Sequence, residues 1–229
     1  MSRGSAKEPP SPQKPSKERT ANDKNSATDV RETKAAMRAE IKARVAAVSR
    51  FARERRSTAA AMLAIRSPAL ARARIVLSFR ALPDEIDADP LTRLLSERGV
   101  RVVFPRVDAH GALELLAPPA GQPLEARFFA TDRYGIASPD PQAAGVERFA
   151  PRDLDAVVVP GRAFDARGAR LGRGKGFYDS LIARLRPDAR AATVGLCHRE
   201  QLVAQVPEDA HDRRVAWVAT DRALLRARA

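Results

Sequence analysis

The sequence has little of what secreted and membrane-bound proteins contain. Cys197 is the single cysteine among 229 residues, so the chain cannot form an internal disulfide. The longest apolar run, residues 59–65, is much too short to span a bilayer, and no apolar segment follows the N-terminus. We therefore expect a cytoplasmic protein that uses neither a membrane nor an oxidising compartment.

Aromatic residues are also scarce, at 5% of the chain, although the formal charge is +13. Residues 34–80 hold twelve Lys or Arg against two acids. Such a basic segment could bind nucleic acid or an anionic membrane, could attract a polyanionic small ligand, or could be a solvated face. Because few rings are available to stack on bases, and no nucleic-acid motif accompanies the charge, we expect no nucleic-acid partner. A basic RNA-binding protein, with binding that weakens steeply in salt, is the alternative.

The most informative stretch is residues 170–179, RLGRGKGFYD. Its three glycines alternate with cations, so that main-chain N–H groups and the side chains of Arg170, Arg173 and Lys175 could face one anion. The apolar residues after Gly176 repeat at helical spacing and predict a helix there. The stretch lacks the hydroxyl residue that follows Lys in a Walker motif, and its glycine spacing differs from the dinucleotide fingerprint. A phosphate-binding loop is favoured, with a basic glycine-rich surface loop as the alternative.

Predicted strands and helices alternate along most of the chain. Residues 1–31 contain almost no large apolar residues and predict a disordered polar tail, which leaves residues 32–229 for a single domain. Helices are predicted at 32–50, at 57–65, from a cap at Asp87 to residue 95, and after Gly176; strands are predicted at 74–79, 100–104, 111–116, 155–159, 191–196 and, at an edge, 215–220. This order predicts an α/β fold: a three-layer α/β/α domain with a mostly parallel, Rossmann-like sheet. Ligands should bind at the carboxyl ends of the strands.

The first predicted helix carries two cations that are four residues apart. Lys34 and Arg38 lie beside an apolar stripe that includes Met37 and Ile41. Cations at this spacing can reach the same anion from successive turns, but a solvated basic face is equally consistent with the spacing.

Taken together, these motifs resemble the 5-formyltetrahydrofolate cyclo-ligase family, also called 5,10-methenyltetrahydrofolate synthetases. The resemblance is carried by residues 34–38, 84–87, 158–161, 164–165, 168, 170–179, 200–201, 206–207 and 211–212. It implies a monomeric enzyme with small-molecule substrates, which uses Mg²⁺ and ATP to convert 5-formyltetrahydrofolate into 5,10-methenyltetrahydrofolate and releases ADP and phosphate. The γ-phosphoryl group would be transferred to the formyl oxygen, and N10 of the folate would then attack the activated carbon.

The resemblance also implies roles for individual residues. Lys34 and Arg38 would hold the ATP phosphates, and the triphosphate would be wrapped by Arg170, Leu171, Gly172, Arg173, Gly174, Lys175, Gly176, Phe177 and Tyr178. The folate would contact Arg80, Glu85, Arg173, Gly174, Lys175, Gly176 and Phe177. Arg173 and Lys175 would be catalytic, and Asp179 and Asp212 would bind Mg²⁺, which prefers oxygen ligands.

Simpler interpretations stand beside these roles. Asp179 could stabilise a helix dipole, Asp212 could be a loop carboxylate, and Arg80 could be an exposed charge at a strand end. An ATP-dependent enzyme acting on another formamide or carboxamide would use the same loop. Three aromatic residues could form a flat surface for the pterin or could belong to the core: Phe128, Phe129 and Tyr134. The three histidines, His110, His198 and His211, match no metal-ligand pattern. Three positions depart from residues common in the family: Ala88, Ser138 and Ala216.

Overall fold

Strands and helices alternate in the computed structural model, which describes residues 17–121 and 126–228. The helices are α1 Lys17–Ala46, α2 Arg50–Ala64, α3 Pro68–Ala71, α4 Asp89–Glu97, α5 Phe177–Ala183 and α6 Pro187–Arg190. The strands are β1 Ile75–Leu77, β2 Arg101–Val107, β3 Leu113–Ala117, β4 Phe129–Thr131, β5 Ala137–Pro139, β6 Glu147–Phe149, β7 Ala156–Val159, β8 Ala163–Phe164, β9 Arg170–Leu171, β10 Thr193–Leu196, β11 Trp217–Ala219 and β12 Leu224–Arg226. No helix of this described part combines the length and the apolar content needed to cross a bilayer.

Eight strands form one sheet in the order β12-β11-β10-β7-β1-β2-β3-β6. The five central strands, β11 to β2 in this order, are parallel to their neighbours. At the two edges, β12 and the pair β3 and β6 run antiparallel. The mostly parallel sheet predicted from the sequence is therefore confirmed.

Successive side chains of the central strands point to opposite faces of the sheet, and each face has its own core. Val76 and Val158 pack into a cluster with residues of α2 and α4. Their neighbours Leu77 and Val157 pack into a second cluster with residues of α5 and α6. Both faces are thus covered by helices, which confirms the three-layer α/β/α prediction.

Helix α1 packs outside these two cores and against the short hairpin of β8 and β9. Ile41 and Val45, both buried, contact Leu171 and Val206 in a third apolar cluster. This packing fixes the register of α1, so that Arg38 lies beside the end of the hairpin.

Helix α1 begins at Lys17, earlier than the start predicted near residue 32. Residues 17–31 of the predicted disordered tail are helical here, since extending a helix already fixed by packing costs much less than starting one. Residues 1–16 lie outside the described residues, and the division into a tail and a single domain stays a prediction.

Several element ends differ from the sequence predictions: α2 begins at Arg50 rather than at residue 57, and β2 ends at Val107 rather than at residue 104. The N-cap of α4 is Ala88 rather than Asp87, whose Oδ1 instead accepts the main-chain N–H of Asp89 at 2.9 Å. Strand β11 is not the sheet edge, because the chain turns after Thr220 and β12 pairs with it in antiparallel register.

Candidate active site

The hairpin of β8 and β9 opens into residues 170–176, the glycine loop, which leads directly into α5. Gly174 and Gly176 have φ angles of 93° and 70°, in the left-handed region that favours glycine. At Gly172 a Cβ would lie 2.7 Å from a guanidinium nitrogen of Arg170, so a larger residue there would displace the Arg170 guanidinium. The predicted helix after Gly176 is confirmed by α5.

Arg173 joins the glycine loop to the turn that follows β1. Its Nε donates to Glu85 Oε1 at 2.8 Å, and its guanidinium also contacts Asp84. Arg162, which follows β7, lies 2.5 Å from the other oxygen of Asp84. Burial raises the pKa of Asp84, but the hydrogen bonds from Arg162 and Arg173 outweigh burial and hold this pKa below its ordinary value. The carboxyl ends of β1 and β7 thus meet the glycine loop in one charged cluster.

Lys34 and Arg38 reach two neighbouring parts of the site from α1. Lys34 is 6% exposed, and its Nζ lies 2.5 Å from Asp212 Oδ2 and 2.8 Å from Asp209 Oδ2. Arg38 Nε donates to the carbonyl oxygen of Gly172 at 2.9 Å. Arg38 therefore contacts the main chain of the glycine loop, and Lys34 contacts the two aspartates near this loop.

Asp179, in the first turn of α5, is held by the glycine loop and by a distant segment. Its Oδ2 accepts from Arg170 Nη2 at 2.8 Å, and its Oδ1 accepts the main-chain N–H of Arg213 at 3.1 Å. Arg170 is 6% exposed and also donates to the carbonyl oxygen of Pro160. Since Arg213 follows Asp212 in the chain, this hydrogen bond brings the segment that carries Asp212 next to Asp179.

Arg80 and Glu85 line a cleft of about 520 Å³, the first cleft. Its other walls come from α2 and from residues 135–137, and His198 lies at its floor. Arg80 donates to Asp89 at 2.6 Å, and its guanidinium stacks on Phe129 with 4.8 Å to the ring centroid. Arg80 is therefore a packed residue of the cleft wall rather than a free charge at a strand end.

The three aromatic residues considered for the pterin are not among those that line the first cleft. Phe129 packs edge-on against Phe104, with ring centroids 5.4 Å apart. Tyr134 is 41% exposed, and Ile136 is the large apolar residue that this segment contributes to the cleft wall.

Lys175 and Phe177 line a second cleft, of about 560 Å³, between α5 and the antiparallel edge of the sheet. Lys175 is exposed and forms no ion pair within the described part of the chain. The structure therefore brings Arg173, Arg170, Lys34 and Arg38 together, and it leaves Lys175 on the opposite side of the glycine loop.

Comparison with known proteins identifies the family of this chain. The model of the 5-formyltetrahydrofolate cyclo-ligase family matches residues 30–221. The chain belongs to this family. It is therefore an enzyme of the cyclo-ligase class, whose members depend on ATP in general.

Named members of the cyclo-ligase family resemble the chain over most of their length. The 5-formyltetrahydrofolate cyclo-ligase of Mus musculus is 27% identical over 192 residues, covering 82% of this chain and 94% of its own. The Escherichia coli K12 cyclo-ligase is 30% identical over 153 residues, covering 67% of this chain and 81% of its own. The 5,10-methenyltetrahydrofolate synthetase structure from Aquifex aeolicus superposes with a TM-score of 0.71 at 27% identity, covering 86% of this chain and 93% of its own.

Several residues of this cyclo-ligase site carry no role in the sequence prediction. Two of them could have been found from the sequence. Arg162 is three residues after the buried strand β7, and Asp209 is three residues before Asp212. Asp84 lies inside the acidic motif, where only Glu85 received a role. His198 gave no local signal, because its position at the first cleft depends on residues that are distant in the chain.

Proposed function

We propose that this cyclo-ligase converts 5-formyltetrahydrofolate into 5,10-methenyltetrahydrofolate with consumption of Mg-ATP and release of ADP and phosphate. One observation carries the proposal: Arg173 of the glycine loop donates to Glu85 at 2.8 Å. The cation expected to meet phosphate thus lies beside the carboxylate expected to meet the folate. A phosphoryl group held by the glycine loop would therefore be next to a substrate bound in the first cleft.

The reaction needs this proximity because the formyl oxygen is a poor leaving group. Transfer of the γ-phosphoryl group to that oxygen makes the formyl carbon electrophilic, and attack by N10 then closes the ring and expels phosphate. Holding both substrates in one place supplies much of the rate, since it removes the entropic cost of bringing them together. Arg173 would stabilise the charge that develops on the transferred group.

Binding of ATP would use the cations around the glycine loop. Arg170, Arg173 and Lys175 belong to this loop, and Arg38 contacts it from α1. Several of these cations are paired with carboxylates in the structure. Phosphate oxygens would compete with these carboxylates, so we propose that ATP exchanges some ion pairs when it binds.

The residues present fit a magnesium ion. Among the described residues, no cluster of three or more His, Cys, Asp or Glu is placed to hold a metal. Mg²⁺ often takes only one or two carboxylates, with phosphate and water as its other ligands, and Asp179 and Asp212 offer such a pair. Oδ1 of Asp212 accepts no hydrogen bond from the described part of the chain, so we propose this oxygen as the first ligand of the Mg²⁺ ion. When bound, Mg²⁺ would neutralise charge on the phosphates.

The test is to mix purified protein with 5-formyltetrahydrofolate, ATP and Mg²⁺ and to follow the near-ultraviolet absorbance of the methenyl product. We expect the band only when all three are present. A folded protein that binds ATP but never forms the band would disprove the folate assignment and keep the phosphate site. We propose the cytoplasm as the compartment, because the single Cys197 is free and buried, and we propose that the enzyme is a monomer.

A further inference from the structure

His198 lies two residues after the end of β10, at the floor of the first cleft. Its side chain is fully buried and lines the cleft together with Arg80 and Glu85. Its main-chain N–H donates to Gln201 Oε1 at 2.8 Å, and Gln201 Nε2 in turn donates to the carbonyl oxygen of Gly161 at 2.8 Å. The backbone that presents the imidazole is therefore fixed.

Neither ring nitrogen of His198 has a hydrogen-bond partner among the described residues. Buried polar groups in folded proteins are almost always hydrogen-bonded, because the loss of water is otherwise uncompensated. Three further buried atoms without partners belong to residues of the same cleft: Arg53 Nε, Arg80 Nε and Asp89 Oδ1. The residues that carry these unpartnered polar atoms thus all line one cleft, which suits a ligand with several polar groups.

We propose that His198 hydrogen-bonds to the pteridine ring of the folate in the first cleft and so contributes to recognition of that ring. The proposal rests on the proposed function for the identity of the ligand. It assigns a substrate contact to a residue for which neither the sequence motifs nor the resemblance gave a role.

The floor of the cleft suits the uncharged ring of the folate better than its anionic tail. Burial lowers the pKa of His198, and nearby Glu200 and Asp221 offset this only in part, while Arg53 and Arg56 add to it. The imidazole is therefore neutral at neutral pH and offers one donor and one acceptor, which match the N–H and carbonyl groups of a pteridine.

The carboxylates of the folate tail would bind more favourably at the opening of the cleft than at its floor. Arg50 lines this opening, and its side chain is 89% exposed, so that a carboxylate there would keep much of its water. Moving a carboxylate from this exposed opening to the buried floor would cost much of its hydration.

The first variant to test is His198→Phe, which keeps a planar ring but removes both nitrogens. We expect the KM for 5-formyltetrahydrofolate to rise about tenfold or more, as for the loss of a buried hydrogen bond, with the KM for ATP unchanged. The melting temperature should not fall, because the variant removes an unpartnered polar group. His198→Gln, which keeps a donor and an acceptor, should recover part of the affinity. His110→Phe, at an exposed histidine, is the matched control and should behave as the wild type.

A pterin that lacks the folate tail shows whether His198 contacts the pteridine ring or the tail. We expect 5-formyl-6-methyltetrahydropterin, used as a competitive inhibitor, to lose affinity for His198→Phe by the same factor as the full folate. A loss seen with the full folate alone would place His198 on the tail and overturn the proposal.

The imidazole resonances of the wild-type protein give a readout that does not depend on any variant. Addition of 5-formyltetrahydrofolate should shift the ¹⁵N signals of the His198 ring, and unchanged signals at saturation would overturn the proposal. A wild type without methenyl product would count against the proposed function. Normal turnover with an unchanged KM for His198→Phe would count against the role of His198 alone.

Discussion

Lys34 Nζ lies 2.5 Å from Asp212 Oδ2, which joins helix α1 to the segment between β10 and β11. Asp212 Oδ2 also accepts the main-chain N–H of Asp209, whose own carboxylate lies 2.8 Å from the same ammonium. A single cation thus neutralises two adjacent carboxylates. Burial lowers the pKa of Lys34, but the hydrogen bonds to Asp209 and Asp212 outweigh burial and raise this pKa above its ordinary value.

Substitution of Lys34 should therefore destabilise the fold. We expect Lys34→Ala to lower the free energy of unfolding by about 1–3 kcal/mol, less than for a fully buried pair because Asp209 is half exposed. Lys42→Ala, on the exposed face of the same helix, is the matched control. Urea denaturation at neutral pH gives the comparison, and equal unfolding free energies for the two variants would contradict a structural role for this pair.

Arg173 should matter far more for turnover than for stability. Its side chain is 36% exposed, and partly exposed ion pairs contribute about 1 kcal/mol or less, so Arg173→Ala should melt close to the wild type. Its kcat should fall about 100- to 1,000-fold if it stabilises the transferred phosphoryl group. Arg173→Lys keeps the charge but cannot contact Asp84 and Glu85 at the same time. Its kcat should therefore lie between that of the wild type and that of Arg173→Ala.

Steady-state kinetics with the methenyl product as readout test Arg173, and Arg222→Ala provides the control at an exposed arginine. A kcat within twofold of the wild type would remove Arg173 from the catalytic machinery.

Local sequence patterns predicted those parts of the molecule that local physics determines. The apolar run of β7 can only be a buried strand, and the glycine loop needs φ angles that few other residues adopt. Strand β12 was missed because three residues after a turn carry no periodicity. The pairs Arg162 with Asp84 and Lys34 with Asp209 were missed because they join residues far apart in the chain. Their partners are set by the order of strands, which no single segment contains.

Alanine substitutions at two glycines of similar backbone conformation distinguish a loss of stability through backbone strain from a loss of turnover. Gly99 and Gly176 have φ angles of 75° and 70°, and a Cβ at either would meet no atom within 4 Å. Alanine should therefore cost each about 1–2 kcal/mol through backbone strain alone. Only Gly176→Ala should also impair turnover, because Gly176 sets the end of the glycine loop. Thermal melting and the KM for ATP test both variants, and equal kinetics would show that the conformation of the loop end is not critical.

Lys175 tests whether the second cleft belongs to the same reaction. Because this exposed lysine forms no ion pair in the described part of the chain, Lys175→Ala should leave the melting temperature unchanged. We expect its turnover to fall about 100-fold if the ammonium contacts phosphate. Arg184→Ala, which removes another cation from the same cleft, is the control. Wild-type rates of Lys175→Ala at both limiting and saturating ATP would make Lys175 a solvated charge of a surface loop.

Asp165 should make the stability of the fold depend on pH in the acid range. This buried carboxylate accepts the main-chain N–H groups of Arg167, Ala169 and Val206 at 2.9, 3.1 and 3.0 Å. Burial raises its pKa, but these hydrogen bonds and that from the Arg167 side chain outweigh burial and hold the pKa below its ordinary value. A lowered pKa means that the unfolded state binds the proton first, so the stabilisation is complete above about pH 4 and is lost as pH falls through the lowered pKa.

Asp165→Asn should therefore lower the free energy of unfolding by about 1–3 kcal/mol at neutral pH, since an amide oxygen accepts more weakly than a carboxylate. The difference from the wild type should shrink below about pH 4, where the wild-type carboxylate becomes protonated as well. Asp188→Asn, at an exposed aspartate, is the control. Denaturant unfolding across this pH range measures the difference, and a gap that stayed constant down to the lowest pH would show that Asp165 stabilises the fold through packing rather than through its charge.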